Sequence, residues 1–138
     1  LGLNKLNEEG YDGFISAGST GALLAGGLFI TKRIDNVERA VITAALPTRK
    51  GPTILVDTGA VMDSTSLMQQ QFAIMGSIYA NKVLNRPDPK VYLLNVGAEE
   101  GKGDMRAKKT YELLKETKHI NFCGNIEARD FISGFQEV

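Results

Sequence analysis

The chain has 138 residues, of which 43% are hydrophobic and 7% aromatic, and its 16 Lys and Arg residues balance 16 Asp and Glu residues. This composition excludes a disordered chain, and it lacks the basic excess of a protein that binds nucleic acid through its phosphates. A chain of this length can bury a sizeable core, so we expect one α/β domain over residues 1–138, as part of a longer chain.

The cysteine content and the apolar runs indicate the redox environment and whether a membrane-spanning helix is expected. Cys123 is the single cysteine and cannot form an internal disulfide, which fits a reducing compartment, and we expect it to be buried in a short strand. The longest apolar run, residues 22–30, falls well short of the roughly 18 residues of a membrane span. The N-terminal residues lack the pattern of a signal peptide, and zinc-ligand spacing is absent, so no metal site is predicted.

Strand and helix patterns alternate through the first half of the chain. Gly10 ends the first helical pattern, and Ser19 or Thr20 can cap the second. The predicted elements are a helix end over residues 1–9, a strand over 13–16, a helix over 21–32, and strands over 40–46 and 53–57.

The second half begins with a long helix predicted over residues 66–84. Its apolar residues recur at helical spacing and form so broad a stripe that we expect neighbours on more than one side. They are Leu67, Met68, Phe72, Ile74, Met75, Ile78, Tyr79 and Val83. The remaining predicted elements are strands over 90–96 and 120–123, a helix capped by Asp104 that runs to about residue 117, and a helix over 128–132.

Continuously apolar strands separated by helices predict a parallel sheet that is covered on both faces. The carboxyl ends of parallel strands lie at one edge, and ligands bind in the crevice outside them. Small, polar, glycine-containing loops follow four of the predicted strands, so we expect them to converge on one region. These loops are residues 16–21, 57–66, 95–103 and 124–130.

The first of these loops is a candidate anion site. Gly18 and Gly21 allow a close approach of the backbone, while Ser16, Ser19 and Thr20 supply hydroxyl groups beside the N–H groups of a helix start. The loop matches neither of the common glycine-rich nucleotide motifs, so inorganic phosphate or an acyl phosphate fits it better than a nucleotide. The alternative is that Ser19 and Thr20 simply cap a helix.

Three further titratable residues, Asp57, Asp63 and His119, are candidates for a chemical or a structural role. Asp57 either acts as an acid, a base or a metal ligand, or ends a strand and accepts bonds from loop amides. For Asp63 we favour the role of a cap on the long helix. His119 follows a helix, where a positive charge is favourable, and we interpret it as a surface residue.

Two cations lie in the later loops. Lys102 is in a loop of mixed charge that would by itself be interpreted as solvated surface. Arg129 could hold a phosphate with two hydrogen bonds, but Glu127 and Asp130 are close enough to be its partners instead.

Seven segments in register resemble one family, the bacterial acyl-acyl-carrier-protein:phosphate acyltransferases, known as the PlsX family. Each segment is short, but together they span nearly the whole chain in the order that the family has. They are residues 16–27, 45–48, 57–60, 71–77, 94–97, 99–103 and 124–130.

The resemblance implies a three-layer α/β/α fold with a mostly parallel sheet, similar to isocitrate dehydrogenases and phosphotransacetylases. It implies transfer of a fatty acyl group from acyl carrier protein to inorganic phosphate, giving acyl phosphate for phospholipid synthesis. It also implies a cytoplasmic homodimer, loosely associated with the membrane, that uses no metal or organic cofactor. Two alternatives remain: a short-chain phosphate acyltransferase that uses coenzyme A thioesters, and a non-catalytic fragment that self-associates through the helix at 66–84.

The resemblance also assigns roles to the polar residues. The candidates for the phosphate or acyl-phosphate pocket are Ser16, Gly18, Ser19, Thr20, Gly21, Asn95 and Arg129, and the candidate catalytic residues are Asp57, Lys102 and Asn125. Lys102 and Arg129 would act as charge clamps. The side chains of Asp57, Asn95 and Asn125 would organise loops or donate hydrogen bonds. The chain departs from the family at Val61, where Asn is usual, and at Thr65, where the usual Lys is replaced and a cation is lost.

Overall fold

A computed structural model describes residues 2–133 and residue 138. Its elements in chain order are α1 (Gly2–Glu8), α2 (Thr20–Gly26), a π-helical segment (Gly27–Thr31), β1 (Thr43–Thr48), β2 (Gly51–Val56), α3 (Ser66–Val83), β3 (Lys90–Leu94), α4 (Met105–Glu116), β4 (Asn121–Ile126) and α5 (Ala128–Phe131). The α/β class predicted from the sequence is confirmed. None of the described helices is both long enough and apolar enough to cross a membrane.

The predicted strand over residues 13–16 is wrong, since these residues form no regular element. Ile15 is 98% exposed, and a strand requires a neighbouring strand to satisfy its backbone. The helix predicted over residues 21–32 is present but changes from α to π geometry at Gly27. The change falls at two adjacent glycines, which weaken a regular helix because they leave its backbone least restricted.

The sheet prediction is correct for one pair of strands and wrong for the other. Strands β3 and β4 pair in parallel, as expected. Strands β1 and β2 form an antiparallel hairpin, in which Thr43 lies opposite Val56 and Thr48 opposite Gly51. Two residues join these strands, and a parallel crossover needs a connection of roughly a dozen residues or more, so a parallel arrangement was excluded by the connection length.

The core of the described residues lies between the strands and the helices α3 and α4. Its buried apolar side chains are Ile54, Phe72, Ala80, Val91 and Leu114. Helix α3 presents Phe72 and Ala80 to this core but leaves other apolar residues of its stripe exposed, namely Leu67, Ile78, Tyr79 and Val83. The expectation that this helix is covered on more than one side is therefore correct in part, because α3 contacts both α4 and β2 but leaves these four side chains exposed.

The N-termini of the two long helices are capped by side chains. Thr65 Oγ1 accepts a hydrogen bond from the Met68 N–H at 3.2 Å and begins α3, so the predicted cap at Asp63 is wrong. Asp104 Oδ1 accepts from the Ala107 N–H at 2.7 Å and begins α4, as predicted. Thr65, the position where the resemblance implies a Lys, therefore caps a helix here.

Candidate functional site

Two asparagine side chains join the loop after β3 to strand β4. Asn95 Nδ2 donates to Asn125 Oδ1 at 3.2 Å and to the Lys102 carbonyl at 3.1 Å, while Asn95 Oδ1 accepts from the Val96 N–H at 2.8 Å. Asn125 Nδ2 donates to the Glu99 carbonyl at 2.8 Å. Asn125 is buried, so its two bonds are partly shielded from water, whereas the bonds that join Asn95 to Lys102 and Val96 are exposed. Together the four bonds hold the loop over residues 95–103 in one shape.

A glycine makes this arrangement possible. Gly103 has φ +88°, and a Cβ there would lie 2.6 Å from Asn95 Oδ1 and 2.7 Å from Ala107 Cβ. Both the backbone angle and the lack of space exclude a larger residue at this position. The glycine at position 103 thus lets the loop pack closely against the Asn95 side chain.

The charged residues of this loop pair with each other or with α4. Lys102 Nζ lies 3.9 Å from Glu99 Oε2, and Lys115 Nζ lies 2.9 Å from Glu100 Oε1. The hydrogen bond and charge of Glu100 raise the pKa of Lys115 above its ordinary value of 10.5. Lys102 keeps about half of its side chain exposed at the outer face of the loop, where a ligand can reach it.

Arg129 lies on the short helix α5, directly after β4. Its Nε is 3.2 Å from Glu127 Oε2 and 3.9 Å from Asp130 Oδ2, and its side chain is exposed. The structure therefore shows the alternative in which neighbouring carboxylates partner this guanidinium. To clamp a phosphate, Arg129 would exchange these exposed ion pairs, which cost little to break.

Asp57 follows β2, and its side chain accepts a hydrogen bond from an amide of the loop that comes after it. Its Oδ1 accepts from the Val61 N–H at 3.2 Å, and its own N–H donates to the Ile42 carbonyl at 3.0 Å. Its φ of +65° is uncommon for a residue with a side chain, and Asp tolerates this conformation better than most. Asp57 shares a cavity of about 280 Å³ with Leu94 and Ile126, so it lies near the ends of β3 and β4.

The first loop, residues 16–21, is exposed and makes local bonds. Ser16 Oγ accepts from the Gly18 N–H at 3.1 Å, and Ser19 Oγ accepts from the Ala22 N–H at 3.4 Å as the cap of α2. Thr20 is the first residue of that helix, and Gly21 follows it. Among residues 2–133 and 138, no hydrogen bond or ion pair joins this loop to the other three.

His119 and Cys123 are both exposed, but only the exposure of His119 was predicted. His119 is exposed, as predicted, and occupies a turn with φ +77°. Cys123 is also exposed, so the expectation of a buried thiol is wrong. Side chains alternate along β4, and Phe122 takes the inward place, where its ring packs edge-to-face on Tyr111 with centroids 5.1 Å apart.

No role was predicted for Gln71, although it lies in one of the motifs. Its Nε2 donates to the Asn36 carbonyl and its Oε1 accepts from the Glu38 N–H, both at 2.9 Å. This side chain thereby attaches the segment before β1 to α3. Helical periodicity marks Gln71 only as a polar position, and its long-range partners leave no local signal.

The described part of the chain contains no cluster of three or more His, Cys, Asp or Glu side chains that could hold a metal ion. Beside the Asp57 carboxylate, the candidate residues supply two amides, two exposed cations that pair with carboxylates, and the hydroxyl and N–H groups of the first loop. Such groups suit an anion and a polarised carbonyl group.

Comparison with known proteins identifies the family. The family model described as "Fatty acid synthesis protein" matches residues 1–138. The chain is 49% identical over 130 residues to a phosphate acyltransferase of Caldicellulosiruptor saccharolyticus, with 94% of this chain and 39% of that protein covered. It is 45% identical over 138 residues to one of Thermoanaerobacterium thermosaccharolyticum, covering 100% and 41%, and 49% identical over 133 residues to one of Finegoldia magna, covering 96% and 40%.

The chain thus spans about two fifths of the length of the curated relatives it matches. The match to the family model extends over every residue of the chain, and the motifs first noted in the sequence fall within it. The chain belongs to the family of fatty acid synthesis proteins.

Proposed function

We propose that this chain is part of a phosphate acyltransferase that moves a fatty acyl group from acyl carrier protein to inorganic phosphate. The product is an acyl phosphate that serves phospholipid synthesis. The observation that carries the proposal is the 43–49% identity to proteins named phosphate acyltransferase over 94% or more of this chain. The chemistry of the loops after β2, β3 and β4 supports it.

The reaction asks for positioning more than for acid–base chemistry. A phosphate oxygen attacks the thioester carbonyl carbon, the carbon–sulfur bond breaks, and the thiol of acyl carrier protein leaves. Phosphate is already ionised at neutral pH, so a site that holds it against the carbonyl removes an entropic barrier. Donors aimed at the developing oxyanion lower the barrier further.

Each candidate residue has a place in this proposal. Lys102 and Arg129 would balance the charge of phosphate, and Asn95 and Asn125 would hold the loop that carries Lys102. Asp57 would order the loop after β2. The exposed residues of the first loop would bind phosphate or acyl phosphate through hydroxyl and N–H groups, namely Ser16, Gly18, Ser19, Thr20 and Gly21.

The wider setting is proposed as well. The whole protein would be a cytoplasmic homodimer, peripherally associated with the membrane, with a single three-layer α/β/α domain of the isocitrate dehydrogenase and phosphotransacetylase type to which residues 1–138 belong. It would use no metal or organic cofactor. The described parallel pair, β3 and β4, with α4 in contact with β4 and α3 in contact with β3, is consistent with this layering.

The test is acyl-phosphate formation by the longer protein that contains this chain, supplied with long-chain acyl carrier protein and phosphate. Lys102→Gln removes the exposed cation and Asn125→Ala removes the loop support. We expect kcat/KM to fall by about 10²-fold in each, the scale of losing one donor at a developing charge. Lys108→Gln, an exposed cation on α4, is the matched control and keeps full activity.

The substrates separate the proposal from its alternatives. Turnover of acyl-carrier-protein thioesters well above coenzyme A thioesters supports the proposal, and the reverse order assigns a short-chain enzyme. A protein that forms no acyl phosphate from either thioester, while self-associating in light scattering, would be the non-catalytic module and would end the proposal.

A further inference from the structure

Val138 occupies a strand position beside β3. Its N–H donates to the Lys90 carbonyl at 3.1 Å, and its carbonyl accepts from the Tyr92 N–H at 3.0 Å. Val138 thus forms one backbone hydrogen bond with the residue before Val91 and one with the residue after it. This is the hydrogen-bond pattern of two parallel strands. Val138 thus pairs with β3 as a parallel strand would.

This pairing uses the edge of β3 that faces away from β4. The Asn95 N–H, which follows β3 directly, donates to the Ile126 carbonyl of β4 at 2.9 Å. Backbone N–H groups alternate between the two edges of a strand, so the N–H groups of Tyr92 and Leu94 point to the opposite edge. A groove lies along that edge, and its two long walls are residues 54–57 and 91–94.

Gly76 shows that Val138 lies between β3 and β2. A Cβ at Gly76 would be 2.6 Å from Val138 Cγ1 and 2.7 Å from Val56 Cγ2. Helix α3 therefore passes directly over the point where the Val138 side chain meets the end of β2, and the missing side chain provides the space. Phe72 and Ala73 of α3 continue the floor of the groove.

We propose that the groove between β2 and β3 is the seat of a further strand of the same polypeptide, which continues from Val138 parallel to β3. This strand would join the two described sheets into one, in the order β1, β2, new strand, β3, β4. The groove is lined mainly by apolar side chains, among them Ile54, Leu93 and Leu114, so its occupant is an apolar strand. This inference does not depend on the proposed reaction.

Two observations favour a strand in the same chain over a second copy. Val138 already occupies one end of the groove, so a continuing strand is held at high effective concentration, and a second copy would have to displace it. The Thermoanaerobacterium thermosaccharolyticum relative covers all of this chain, yet the match takes up 41% of its length. More than half of that protein lies outside the match, so a relative of this chain has ample further residues from which such a strand could come.

The ladder geometry gives the expected bonds. The residue two positions beyond Val138 would donate its N–H to the Tyr92 carbonyl and accept from the Leu94 N–H. We would compare three proteins: the present chain, the chain extended by the roughly ten residues that follow the match in the Thermoanaerobacterium relative, and the chain extended by a Gly/Ser segment of equal length. Hydrogen exchange would be measured at Leu94 and along residues 52–57.

We expect exchange at Leu94 to slow by about tenfold or more in the relative-derived extension and to stay unchanged with the Gly/Ser segment. Within the extended chain, Gly76→Val would remove this protection because its methyl groups overlap Val138 and Val56. Tyr79→Val, on the exposed side of α3, is the control and keeps it. Should Gly76→Val fail to fold, the comparison of the two extensions still decides.

Light scattering at several concentrations separates the occupants. Protection in a monomer, independent of concentration, supports the proposal. Protection that grows with concentration would assign the groove to a second copy and overturn it. Equal exchange at Leu94 in the two extensions would overturn it as well.

Discussion

Residues 2–42, which precede β1, differ in packing from the part of the chain that begins with β1, although both are rich in apolar residues. No described residue among 2–42 is buried, whereas the buried core is drawn entirely from residues 53–125. Phe29 is 82% exposed and Phe72 is 3% exposed. The comparison teaches that burial here follows from sheet and helix partners, because the same side chain lies in water in one segment and in the core in the other.

The candidate site is divided between these two regions. Asn125 and its bonds to Asn95 and Glu99 belong to the packed region, where they fix a loop. The hydroxyl and N–H groups of residues 16–21 belong to the region without buried residues. The packed region therefore supplies the preorganised part of the site, and the first region supplies groups whose position relative to that part depends on further contacts.

Replacing a phenylalanine in each of the two regions should give the largest difference in the free energy of unfolding. Phe72→Ala should lower the free energy of unfolding by about 3–5 kcal/mol, because it removes a buried ring and enlarges the cavity that Phe72 lines together with Ile54 and Val91. Phe29→Ala should change it by no more than about 0.5 kcal/mol, as for other exposed substitutions. Urea unfolding followed by circular dichroism measures both. Similar losses for the two variants would show that residues 2–42 belong to the same packed unit.

Helix caps give a second matched pair with a smaller effect. Thr65→Ala removes the acceptor for the Met68 N–H at the start of α3, and we expect a loss of about 1 kcal/mol in the free energy of unfolding. Ser19→Ala removes the corresponding acceptor at α2, and the global transition should move by less than half as much. Thr65→Ser keeps the hydroxyl and serves as the control. An equal loss at Ser19 would contradict the division into two regions.

The sequence was sufficient where local chemistry decides the structure. The period of apolar residues placed α3 within one residue of its observed end, and the Asp104 cap placed the start of α4. Both signals act over a few residues of chain and survive whatever packs against them. The loops after β2, β3 and β4 likewise followed from the ends of apolar runs.

The errors arose where the partner decides the structure. Residues 13–16 have the composition of a strand, but no described strand pairs with them. The direction of β1 against β2 is a different case, because the short connection between these strands excludes a parallel pair and is itself a local feature of the sequence. Asn125 could be listed as a candidate from its motif, but its bond to the Glu99 carbonyl, 26 residues away in sequence, is set by the fold.

The smallest expected effect lies at the surface of the loop that the two asparagines hold. Glu100 bonds to Lys115 and raises its pKa, so Glu100→Gln should return that pKa toward 10.5. A raised pKa in the folded state means that the pair contributes stability below the ordinary pKa and loses it as the pH rises through the raised value. The unfolding curves of the parent and Glu100→Gln should therefore differ slightly at neutral pH and converge in strong alkali, with Glu116→Gln as the control. An NMR titration of Lys115 gives the pKa directly, and an unchanged value in Glu100→Gln would show that this ion pair does not persist in solution, so that Asn95 and Asn125 hold the loop without its help.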